Sequence, residues 1–99
     1  MGYVITVFDR PDREHLRPQH QDAHYQYLRD NADKILLRGG FPNDRGDGFV
    51  GGMLVLDVDT REAAQDFIAN DPYAKAGMQG EVTIVRFKAA HCAGLERWR

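Results

Sequence analysis

The chain has 99 residues, 42% of them hydrophobic, enough for one modest core and one domain. With 13 basic and 15 acidic residues and a formal charge of -2, it offers no electrostatic case for nucleic acid or an anionic membrane as a partner. A lone cysteine, Cys92, excludes an intrachain disulfide framework, and no apolar run approaches the roughly 18 to 20 residues of a membrane span. The composition is that of a soluble domain in a reducing compartment, and a cytoplasmic location is expected.

Tyr3 to Phe8 is β-branched and aromatic and is bounded by Asp9-Arg10-Pro11-Asp12, which predicts a first strand rather than a signal peptide. From about Arg13 to Asn31, Leu16, His20, Ala23, His24, Tyr27 and Leu28 recur at steps of three and four, which predicts a helix. Pro18 interrupts that pattern, so the regular helix begins near it or a short first turn precedes it. Lys34 to Arg38 is a short apolar strand, and the following GGFPNDRGDG stretch is rich in turn residues and is expected to be a loop. Met53 to Val58 is the third strand, with Gly51 and Gly52 marking a bulge or close backbone approach at its start. Asp59 or Thr60 caps a second helix whose buried stripe is Ala63, Ala64, Phe67 and Ile68. Asn70, Asp71 and Pro72 should stop it, with a short helical turn running from Tyr73 towards Met78. Val82 to Phe87 is the fourth strand, and a mixed tail closes the chain over residues 89–99, beyond a core of about 2–88.

The order β-α-β-β-α-β is the ferredoxin-like α+β pattern, a four-stranded antiparallel sheet with both helices on one face. The strands are apolar at most positions on both faces, so the face away from the helices should be covered. A homodimer joined sheet to sheet is the expected solution.

Asp71 before Pro72 is first of all a good helix cap. In this topology, however, the two main helices run roughly parallel, so their C-terminal ends lie at the same end of the sheet. His24 on the first helix and Asp71 just past the second are thereby brought towards each other. A carboxylate on one imidazole nitrogen fixes the tautomer and leaves the other nitrogen as a base. His20 lies four residues before His24, yet no other ligand has a spacing that supports a metal site. Arg13 and Arg17, four apart, are candidates for holding a carboxylate, and Tyr25, Tyr27 and Tyr73 for lining a small pocket. His15, His91 and Cys92 read as surface or tail residues, and no motif for a cofactor or a nucleophile is present.

Two segments resemble a known family. AHYQYLRDNADKILLRGG is similar to the first-helix motif of the YCII-related (YciI-like) family, and REAAQDFIANDPYAKAGM to its second signature, an alanine-rich helix followed by Asp-Pro-aromatic and Ala-Gly. With YVITVFD and EVTIVRFK, the resemblance covers nearly all of the chain up to Lys88. It implies a dimeric α/β barrel and an active-site pair of His24 and Asp71, with His24 preferred over His20 because its HYQYL context matches without gaps. Gly40-Phe41-Pro42 and Met53 depart from the family pattern at positions that wall a pocket, so no substrate carries over. The chemistry associated with the family is lyase- or isomerase-type proton transfer on small oxygenated compounds, including dehydrochlorination.

The expectation is therefore a cofactor-independent enzyme using His24 and Asp71 for general acid/base proton transfer on a small anionic substrate. Arg17 or Arg13 would bind that substrate, with Tyr73 and Tyr27 lining its pocket. The rival expectations are a non-enzymatic dimeric ligand-binding or accessory module and a cofactor-free monooxygenase of the dimeric barrel type.

Overall fold

The computed structural model describes residues 2–91. Cys92, Trp98 and the rest of the tail beyond His91 lie outside the described residues. The chain forms β1 (Gly2–Asp9), α1 (Leu16–Asp30), β2 (Ile35–Pro42), β3 (Phe49–Leu56), α2 (Arg61–Ala69), α3 (Pro72–Lys75) and β4 (Gln79–Phe87). The strands make one antiparallel sheet in the order β2-β3-β1-β4, the ferredoxin-like α+β fold expected from the element order.

Period-two alternation sorts β1 into two faces. Tyr3, Ile5 and Val7 are buried towards the helices, whereas Val4, Thr6 and Phe8 point to the opposite, outer face. The register carries this division across the sheet: Ile5 lies between Leu54 and Ile84 on the inner face, and Val4 between Val55 and Val85 on the outer one. The inner face packs against Leu28 of α1 and Ala64, Phe67 and Ile68 of α2 to form the core. Ala63, expected in the buried stripe, sits at its partly exposed edge.

Pro18 falls in the first turn of α1, where its missing N–H costs no intrahelical bond, and Pro11 opens a separate 3-10 turn over Pro11–Arg13. The cap of α2 is Thr60, whose hydroxyl accepts from Ala63 N at 3.1 Å. Asp71 caps α3 by accepting from Tyr73 N at 2.9 Å, and Gly77 at φ 75° ends that turn in the left-handed region.

The first four residues of the loop expected after Arg38 are sheet. β2 continues through Gly39, Gly40 and Phe41 to Pro42, and β3 begins at Phe49, so the connection shrinks to residues 43–48. Asn43 organises it, its Oδ1 accepting from Gly46 N at 2.8 Å and Asp47 N at 3.2 Å. Pairing between strands overrides the poor strand propensity of the glycines. Gly51 is needed here, since a Cβ on it would lie 2.1 Å from Val7 O. Across it, Phe8 and Phe41, both its register partners, lean together on the outer face with ring centroids 5.2 Å apart.

Candidate active site

Two turns into α1, His24 points towards the start of α3. Its Nδ1 lies 2.8 Å from Asp71 Oδ1, the oxygen that also takes the Tyr73 N–H. A carboxylate only accepts, so Nδ1 carries the hydrogen and Nε2 presents its lone pair. Asp71 is 2% exposed, the one buried charged side chain among the described residues, while the His24 side chain keeps 15% of its surface open. The pair combines a sequestered carboxylate with a reachable imidazole.

Tyr73 joins this pair to a second one. Its ring stacks on His24 with centroids 3.9 Å apart, and the Arg17 guanidinium lies 4.9 Å from the same ring. Arg17 is seven residues before His24, hence on the same helical stripe, and it donates to both Asp9 carboxylate oxygens at 2.9 Å. Burial raises the Tyr73 hydroxyl above its ordinary value of 10.0, with Arg17 opposing and Tyr25, Asp71 and Asp9 reinforcing the rise. That hydroxyl is buried and has no hydrogen-bond partner among the described residues.

His24, Asp71, Arg17 and Tyr73 all line a cavity of about 150 Å³ between α1 and the β2–β3 half of the sheet. On the inner face Gly40 and Gly52 sit opposite each other across the two strands, and both line the cavity. The Phe49 ring fills the space a Cβ on Gly40 would need and so covers that glycine. Tyr25 and Arg38 complete the wall on the β2 side.

Not every residue nominated from the sequence comes to this cavity. Arg13 lies beside Asp12, 3.6 Å away, and is absent from the lining. Tyr27 donates to Phe67 O at 2.7 Å and packs on the core, also away from the cavity. His20 is likewise absent from the lining. Among the described residues no group of three or more His, Cys, Asp or Glu side chains is arranged to hold a metal. Sequence reasoning missed Arg38, Asp9 and Phe49, whereas Gly40 and Met53, set in a pocket wall by the resemblance, do line the cavity. Strict alternation from Ile35 would put Arg38 on the outer face, and the register shift between Ile35 and Leu37 is what turns Arg38 and Gly40 inward.

The profile of the YCII-related domain matches residues 1–88. The chain belongs to the YCII-related family. It is 36% identical over 97 residues to protein YciI of Escherichia coli O6:H1 and, with the same figures, to protein YciI of Shigella flexneri, each match covering 89% of this chain and 97% of the relative. An uncharacterized protein of Haemophilus influenzae is 32% identical over 96 residues, with 89% and 97% coverage. Among solved structures, 5-chloro-2-hydroxyhydroquinone dehydrochlorinase (TftG) of Burkholderia phenoliruptrix AC1100, in complex with 2,5-dihydroxybenzoquinone, aligns with a TM-score of 0.81 at 26% identity, covering 89% of this chain and 94% of that one. This YCII-related domain thus shares its fold with an enzyme whose ligand is a single oxygenated ring.

Proposed function

We propose that the protein is a cofactor-independent enzyme of the lyase or isomerase type, in which His24 moves a proton on a small oxygenated ring compound. The observation that carries this reading is the 2.8 Å contact between His24 and the buried Asp71 in the wall of a ring-sized cavity. A cavity of about this volume holds benzene in another protein. The likeness to a dehydrochlorinase supports the same class of chemistry.

In such a reaction His24 Nε2 takes a proton from a substrate O–H or C–H. The electron pair left behind forms a new π bond, and the leaving group departs as an anion with its bonding pair. Asp71 stabilises the resulting imidazolium and holds the ring in the useful tautomer. A positioned base of this kind is worth typically 10² to 10⁴-fold. That suits an activated ring proton and a good leaving group, and it requires no nucleophile.

Chloride release from 5-chloro-2-hydroxyhydroquinone tests the reading. The protein should release chloride above the uncatalysed rate, and His24→Gln should lose about 10² to 10⁴-fold of that acceleration. Release that is indifferent to His24→Gln would overturn the role of the pair.

We also infer that the protein works as a homodimer through the outer sheet face. Phe8, Leu37, Val85 and Phe87 are exposed there around a Thr6–Thr83 hydroxyl contact. Patches of this kind are uncommon on monomers.

A further inference from the structure

Of the charged groups that line the cavity, one cation has no ion-pair partner among the described residues. Arg17 meets both oxygens of Asp9, and Asp71 is held by the His24 ring and the Tyr73 backbone N–H. Arg38, the remaining charged lining residue, has no carboxylate partner among the described residues. It faces the Tyr25 ring, with its guanidinium carbon 6.0 Å from the centroid. Arg38 is exposed to solvent, pairs with Leu54 in register one step along the inner face from the Gly40–Gly52 pair, and lines the cavity.

The same cavity presents the unprotonated Nε2 of His24. A ligand that answers both Arg38 and Nε2 is one ring carrying an ionised oxygen and a second group that can give up a proton.

We propose that Arg38 is the anion-binding residue of the cavity and sets its preference for ring compounds bearing a carboxylate or another ionised oxygen. The proposal rests on the His24–Asp71 reading only for the proton transfer after binding; the preference itself is a property of Arg38. Arg17, one of the two arginines nominated from the sequence, braces Tyr73 while Asp9 occupies its donor edge. Guanidinium suits the task because its donors meet two oxygens at once.

Salicylate and its neutral isostere salicylamide test this, with affinities from calorimetry and ring contact read from the His24 imidazole resonances by NMR. The wild-type protein should bind salicylate about tenfold or more tightly than salicylamide, since charge-assisted hydrogen bonds are roughly twice as strong as neutral ones. Arg38→Met should erase that preference and leave salicylamide affinity within about twofold, and Arg38→Lys should keep part of it. Arg45→Met, which removes the same charge from the remote β2–β3 connection, should leave the preference intact and so exclude a net-charge effect. A wild-type protein without the preference, or an Arg38→Met protein that keeps it, overturns the proposal. Chloride release separates the two readings. Loss of the salicylate preference in Arg38→Met with chloride release indifferent to His24→Gln would uphold Arg38 and sink the proton-transfer reading, and the reverse pattern would do the opposite.

Discussion

One oxygen of Asp71 serves two partners, the Tyr73 backbone N–H at 2.9 Å and the His24 ring at 2.8 Å. Capping and aiming are therefore one contact set rather than alternatives. Asp71→Ala removes both and leaves two donors unanswered, one of them buried; a stability loss of about 2 to 4 kcal/mol is expected by urea denaturation. Asp71→Asn keeps an acceptor at the cap and should cost about 1 kcal/mol while removing the charge that supports the imidazolium. Stability would then stay close to wild type as chloride release falls, a split that a purely structural cap would not produce.

Tyr73 gives a second residue-scale prediction, in pH. Its folded hydroxyl keeps its proton above 10.0, chiefly because it is buried, while the unfolded chain releases it near that value. Between the two the unfolded state binds fewer protons, so stability falls as pH rises. The contribution is whole below about pH 10 and lost above it. Urea midpoints compared between about pH 9 and pH 11 should drop further in the wild type than in Tyr73→Phe. Tyr27, also raised by burial with Asp71 adding to the effect, supplies the remaining slope in both proteins.

The elements that were legible in the sequence are those whose local propensity and tertiary role agree. β1, α2 and the Asp71-Pro72 turn follow from alternation, helical spacing and capping, and the His24–Asp71 approach follows from topology. The second half of β2 was not legible, because Gly39, Gly40 and Pro42 are poor strand formers. Gly39 pairs with Met53, Gly40 with Gly52 and Pro42 with Phe49, so local preference yields where the strands wall the cavity. Arg38 was hidden because its inward face depends on the register shift between Ile35 and Leu37, which no residue pattern announces. Alanine at two glycines checks this account. Gly51→Ala should cost about 3 kcal/mol or more, because its Cβ would strike Val7 O across the strand pair. Gly39→Ala, whose Cβ would meet nothing within 4 Å, should be neutral or stabilising by about 0.5 kcal/mol in thermal or chemical unfolding.

At the scale of the molecule, the sheet is covered by helices on one side alone. Val85, on the edge strand β4, is 57% exposed on the outer face, one step along that face from the Thr6–Thr83 contact. Burying this face against a second copy removes the apolar surface that a free monomer would show to water. Light scattering coupled to gel filtration should give twice the mass of one chain, and Val85→Glu should shift that mass to the monomer at micromolar concentration. A wild-type protein that remains monomeric at high concentration would remove the homodimer reading. No helix among the described residues is long and apolar enough to cross a membrane.

The wall between the cavity and the outer face is a single β-strand thick. Gly51 and Met53 line the cavity, yet their register with Phe8 and Thr6 assigns them to the outer face. A partner pressing on the Phe8–Phe41 stack and a ring compound in the cavity would therefore load the same few backbone units from opposite sides. Thermodynamic reciprocity then applies: whatever free energy association lends to ligand binding, ligand binding returns to association. Were the proposed dimer and the proposed ligand coupled in this way, ligand affinity would depend on protein concentration, and the dilution at which dimers part would move when the cavity is filled.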